Sequence, residues 1–163
     1  MGLLERYARL VDLLVEELKA AYGPRLVSVA VYGSVGRGTP RADSDVDVLI
    51  VARELPRGRF ARVDEYLPVE RRLAAGLESA SSDGPITISP VFKTPGEVEH
   101  GSPLFLDMVE DARIVHDPES FLTRYLDRLR GRLRELGARR IWLGNAWYWD
   151  LKPDFKPGEI IQL

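Results

Sequence analysis

Two short, nearly continuous apolar runs stand out in a chain otherwise patterned for helices. They are Leu26–Tyr32 and Val46–Ala52. Runs of this length, rich in valine and apolar on both faces, predict strands inside a covered sheet. Ahead of them, Leu3, Leu4, Tyr7, Leu10, Val11, Leu14 and Leu18 recur at spacings of three and four. That predicts an amphipathic helix, stopped at Tyr22-Gly23-Pro24. Residues 33–43, between the strands, predict a tight turn with one helical turn. After the polar loop 53–59, a helix is predicted over 60–79, burying Val63, Tyr66, Leu67, Leu73 and Leu77, with Pro68 as a point of kinking or splitting. The Ser/Gly/Pro cluster 79–85 predicts a turn.

A third strand is predicted over 86–92. Pro90 lacks a ladder donor, which places this strand at a free edge or keeps it short. Thr94-Pro95-Gly96-Glu97 opens a helix with threonine as N-cap. Helical character resumes over 104–110, and a fourth strand is predicted over 112–115. Over 118–136, Leu122, Leu126, Leu129, Leu133 and Leu136 form a heptad-like seam. About two and a half heptads is short for a coiled coil, so the seam is assigned to packing on the domain. The fold class expected is α/β (α+β): a small mixed sheet flanked by helices, with a C-terminal helix and an aromatic-rich extension. Residues 1–137 form the domain and 138–163 the extension. The extension holds all three tryptophans, Trp142, Trp147 and Trp149. It is too apolar for a disordered tail. Packing into a groove of its own domain is the reading adopted, and stacking a base or docking a partner is the sharper alternative.

Composition narrows the picture little. A chain of 163 residues can bury one core, and a net charge of −2 does not point to nucleic acid. No apolar run approaches the ~20 residues of a membrane span, and the N-terminus alternates apolar and charged residues too early for a secretory signal. The absence of cysteine excludes disulfides and the usual zinc clusters and fits a cytoplasmic setting. Arginine supplies nearly all of the 23 basic residues, a bias compatible with a thermophile and equally with genome base composition. Arg124, Arg128, Arg130, Arg132 and Arg134 read as a solvated helix face paired with Asp127 and Glu135. His100 and His116 stand alone, without metal-ligand spacing.

The chemistry concentrates between the two strands. Asp45 and Asp47 are two apart at the mouth of the second strand, so they point to the same side. Two such carboxylates repel unless a cation lies between them, and carboxylate oxygens suit a hard ion such as Mg²⁺. Gly33, Gly36 and Gly38 allow close backbone approach to an anion, and Arg37 and Arg41 add positive charge. The plain alternative for Asp45 and Asp47 is a water-exposed strand flank.

Gly33-Ser34, ten intervening residues including Arg37-Gly38 and Ser44, then Asp45-x-Asp47, resembles the signature of the nucleotidyltransferase superfamily that includes DNA polymerase β. The match is nearest to the minimal stand-alone nucleotidyltransferases of archaea and bacteria, and it covers residues 20–117, with the core motif at 26–117. The resemblance implies transfer of a nucleoside monophosphate from an NTP such as ATP to a hydroxyl, with release of pyrophosphate. It implies that Asp45 and Asp47 are catalytic and hold two Mg²⁺ ions, and that Gly33 and Ser34 grip the phosphates, with Arg37 and Ser44 as further candidates. It also implies a HEPN-type protein partner, or another protein or RNA, as acceptor. One feature departs from the pattern. The third carboxylate expected on the next central strand is missing, and Ser89 or Thr87 occupies its place. Asp83 and Glu97 are the acids near enough in sequence to substitute. The competing reading is therefore a catalytically degenerate nucleotide-binding or protein-interaction module.

Overall fold

The computed structural model describes residues 2–78 and 86–163, without the side chains of residues 77 and 78. The 79–85 turn, Asp83 and the side chain of Leu77 lie outside the described residues. Helix α1 (Leu3–Tyr22) leads through a 3-10 turn into β1 (Leu26–Tyr32). A four-residue helix α2 (Gly33–Gly36) and a loop connect it to β2 (Val46–Ala52). Then come α3 (Arg59–Glu78), β3 (Ile88–Lys93), α4 (Pro95–Glu99), α5 (Leu104–Asp111), β4 (Arg113–His116) and α6 (Phe121–Glu135). The sheet runs β3-β2-β1-β4. β1 is antiparallel to β2 and β4, and β2 is parallel to β3, with α3 as the crossover that a parallel pair requires.

The two central strands are apolar on both faces because both faces are covered. Val48 and Ile50 pack with Leu10 and Leu14 of α1 and Tyr66 of α3. Leu49 and Val51 pack with Phe105 and Met108 of α5 and the Leu122-Leu126-Leu129-Leu133 seam of α6. That seam is therefore internal, as its length suggested. Arg130 and Arg132 pair with Asp127 and Glu135 along the solvent side.

Four local differences have physical causes. β3 starts at Ile88 rather than 86 and lies at the sheet edge, where the missing Pro90 donor needs no partner. Pro68 does not split α3; its ring is exposed, and Val69 takes the buried position while Leu67 is only half-buried. α6 begins at Phe121, not 118, because Asp117 closes its first turn. The Asp117 carboxylate accepts from the Leu122 and Thr123 amides and from the hydroxyls of Thr123 and Ser28. These donors hold its pKa below the ordinary carboxylate value against the opposing effect of burial.

The largest difference is in the extension. It forms a hairpin, β5 (Arg139–Leu143) and β6 (Ala146–Asp150), with Arg140 opposite Trp149 and Trp142 opposite Trp147. One face of the hairpin lies on α5. Asp107 Oδ1 accepts from the indole N–H of both Trp147 (2.7 Å) and Trp149 (2.9 Å). These two hydrogen bonds join the hairpin to α5. The two strands went unread because Arg140 shares one face with the tryptophans while Arg139 and Asp150 share the other with Ile141 and Tyr148, so neither face is cleanly apolar.

Candidate active site

The turn after β1 is shaped by contacts that only glycine tolerates. Gly33 has φ of +66°, and a Cβ there would overlap Asp47 Oδ2. A Cβ on Gly36 would overlap the Asp111 carbonyl and lie 2.7 Å from the Val31 carbonyl. α2 is therefore wedged between β1, β2 and the end of α5, and it places bare backbone against the second aspartate.

Across the sheet, Tyr32, Asp47 and Ser89 are register partners on three adjacent strands. They share the face that carries Leu49 and Val51 further along β2. All three line a cavity of about 770 Å³ that continues past β3 to Arg62 and Tyr66 of α3. Asp47 is half-buried and Asp45 exposed. Burial and then the Asp45 charge push the Asp47 pKa up, with Arg37 acting in the opposite direction. Burial, reinforced by Asp47, pushes the Tyr32 hydroxyl up to about 12, so it remains a donor facing the cavity. Neither Asp45 nor Asp47 has a hydrogen-bond or ion-pair partner among the described residues.

The positions expected to hold phosphate divide. Gly33 and Ser34 lie at the start of α2 beside Asp47. Arg37 is turned elsewhere: its Nη1 donates to Asp111 Oδ2 at 2.8 Å and its guanidinium lies 5.3 Å from the Trp147 ring centre. Ser44 uses its hydroxyl within the loop, accepting from the Arg41 amide at 2.9 Å. Arg41 is exposed. Tyr7 of α1, buried and read from sequence only as core, donates to the carbonyls of Arg41 and Ser44. Nothing in an apolar helical stripe distinguishes such a tyrosine from its leucine neighbours.

Glu97 does not complete the acidic set. Arg62 Nη1 and Nη2 donate to its two oxygens at 2.8 and 2.9 Å, and the Thr94 amide donates to it as well. These contacts hold its pKa at about 2 despite partial burial. Arg62 also donates to the Pro56 and Phe92 carbonyls, so the pair ties the β2–α3 loop to the end of β3. Among the described residues no group of three or more His, Cys, Asp or Glu could hold a metal ion. The donors available are two carboxylates with a hydroxyl across the strand from one of them. That set fits a hard divalent ion whose remaining ligands come from phosphate oxygens and water.

The nucleotidyltransferase-domain family model matches residues 11–86. A Methanocaldococcus jannaschii protein, provisionally named a protein adenylyltransferase, is 32% identical over 74% of this chain and 79% of its own length. The chain belongs to the nucleotidyltransferase family. Protein adenylyltransferase MntA of Thermococcus cleftensis is 34% identical over 48% of this nucleotidyltransferase and 79% of that protein. A solved toxin–antitoxin structure with AMP-PNP is 17% identical over 77% of the chain and 91% of its own, with a TM-score of 0.49. The activity of this nucleotidyltransferase is transfer of a nucleoside monophosphate from an NTP to a hydroxyl, with pyrophosphate released. Among the described residues no helix is long and apolar enough to cross a membrane.

Proposed function

We propose that this nucleotidyltransferase uses ATP and Mg²⁺ to adenylylate a hydroxyl on a partner protein. The observation that carries the site assignment is the Asp45–Asp47 pair, which has no hydrogen-bond or ion-pair partner among the described residues, with Asp47 set against the bare backbone of Gly33. The names of its relatives support a protein acceptor and an adenylyl group. A HEPN-type partner is the acceptor that the sequence resemblance implies.

In this reading Asp45 and Asp47 hold Mg²⁺, while Gly33 and Ser34 fix the triphosphate. Bound Mg²⁺ neutralises phosphate charge and lowers the pKa of the attacking hydroxyl. The hydroxyl oxygen bonds to the α-phosphorus, the bond from the α-phosphorus to the bridging oxygen breaks, pyrophosphate leaves, and the hydroxyl proton passes to water. The cavity beside Asp47 gives room for the nucleoside, with the Tyr32 hydroxyl as a donor in its wall. Arg37 joins the phosphates only on leaving Asp111.

A second reading has its own observation: Ser89 faces Asp47 where a third carboxylate would stand, and Glu97 is committed to Arg62. That favours a nucleotide-binding module with little or no transfer. Incubating the chain with Mg²⁺ and each α-³²P-labelled NTP in an extract of the source cells separates the two. Label on one protein, dependent on ATP and lost in the D45N/D47N variant, supports adenylylation. No label from folded wild type with any NTP sinks it in favour of the binding module.

A further inference from the structure

Asp45 is exposed, yet the chain on either side of it is fixed. On one side, the Val46 amide donates to the Thr87 carbonyl at 2.9 Å as β2 begins. On the other, the 41–44 turn closes on itself. The Ser44 amide donates to the Arg41 carbonyl at 3.1 Å, and the Arg41 amide donates to the Ser44 hydroxyl. What attaches this turn to the rest of the molecule is α1. The Tyr7 hydroxyl reaches the Arg41 carbonyl at 2.9 Å and the Ser44 carbonyl at 2.7 Å. One hydroxyl hydrogen is thus shared between two acceptors that bracket the turn. The Tyr7 ring is 2% exposed and packed in the core with Leu10 and Val11, so the hydroxyl has little freedom to move. The carbonyl of Ser44 belongs to the peptide unit that leads directly into Asp45.

We propose that Tyr7 is a positioning residue for the metal–nucleotide site, holding the 41–44 turn so that the Asp45 carboxylate stands preset beside Asp47. This rests on the reading of Asp45 and Asp47 as metal ligands. Tyr7 lies outside the matched family segment, which begins at residue 11. Without its tether the turn keeps its internal hydrogen bonds but loses the two that join it to α1. Asp45 then samples positions from which it cannot share an ion with Asp47. A single hydroxyl hydrogen bond, here shared between two carbonyls, corresponds to at most about a tenfold change in an equilibrium constant.

The test uses the full chain with a non-hydrolysable ATP analogue, Mn²⁺ binding being followed by electron paramagnetic resonance. Tyr7→Phe keeps the ring and removes the hydroxyl. Val11→Ala serves as a control that loosens the same core without touching the turn. Expected is Mn²⁺ binding weaker by up to about tenfold in Y7F and unchanged in V11A, even where V11A lowers the Tm as much. Metal-free binding of the analogue should be the same in all three proteins. Mn²⁺ affinity of Y7F within about twofold of wild type, or an equal loss in V11A, would overturn the proposal. If wild type and D45N/D47N bind Mn²⁺ alike, the metal-ligand reading itself falls and takes this one with it. That failure shows in the wild type, before any Tyr7 variant is compared.

Discussion

Two of the molecule's closely spaced acidic pairs are treated in opposite ways. Asp107 and Asp111 sit one turn apart on α5, and every charge is answered from within. Asp111 is 5% exposed; Arg37 donates to one of its oxygens, and Arg140 donates to the other at 3.0 and 3.1 Å. Asp107 accepts from two indoles. Arg140 in turn lies within 6 Å of the ring centres of Trp142, Trp147 and Trp149. Asp45 and Asp47, two apart on a strand, have no such partners among the described residues, and their mutual repulsion contributes to the raised Asp47 pKa. A satisfied acidic pair joins elements of structure, here α5, α2 and the C-terminal hairpin. The unsatisfied pair is the one to which the proposed function assigns an external cation. Residue type and spacing alone do not separate the two cases; the surrounding cations do.

The strongest way to break this contrast is to neutralise each pair in turn. D45N/D47N should lower transfer by about a thousandfold or more while the urea midpoint holds or rises, since repulsion is removed with it. D111N should do the reverse. It strips the partner from two guanidiniums, one of them nearly buried, and should lower unfolding free energy by about 3 kcal/mol in urea titrations. A large stability loss in the first variant, or none in the second, would erase the distinction. A smaller effect sharpens it. S89D places a third carboxylate across from Asp47, so it should tighten Mn²⁺ binding roughly tenfold through added ligand charge and lower the Tm of the metal-free chain. Unchanged metal affinity would show that Ser89 does not reach the metal position.

Titration gives the smallest signal, with opposite signs for two carboxylates. Glu97 is lowered from the ordinary 4.5 to about 2, chiefly by its Arg62 hydrogen bonds. Its contribution to stability is complete above pH 4.5 and is lost as pH falls toward 2, and E97Q should lack that slope. Asp47 is raised, so its charge weighs against the metal-free fold above its pKa, and protonation relieves that. For the same reason protons compete with metal at Asp47 from a higher pH than at an ordinary carboxylate. Metal affinity should therefore begin to fall on acidification before Glu97 is touched. Mn²⁺ titrations and urea midpoints on one pH series would show the two events in that order.

β1 and β2 were legible to the residue because short valine-rich runs bounded by glycine and charge leave a strand no alternative. The Gly33-Ser34 and Asp45-x-Asp47 constellation was legible for the same local reason: the strand period of two and the connection between the strands are properties of nearby residues. The hairpin β5–β6 was not legible. Its inner face sets Arg140 among three tryptophans, and it is anchored by Asp107 and Asp111, roughly thirty to forty residues earlier in the chain.

The sequence by itself determined the alternation of helices and strands, the buried sides of α6 and of α1 from Tyr7 onward (Leu3 and Leu4, read into the same stripe, are exposed), and the pairing of two aspartates on one face. These follow from periodicity and near-neighbour sterics, which do not depend on what the chain later packs against. Only the tertiary structure decided which charges are spoken for. It assigned Arg37 to Asp111 and Glu97 to Arg62, set Ser89 rather than Thr87 across from Asp47, and made Tyr7 the tether of the turn before Asp45. Each of these joins residues at least 34 positions apart. An electrostatic or hydrogen-bond partner is fixed by distance in space, and that is set only when the sheet, α1 and α5 close around one another.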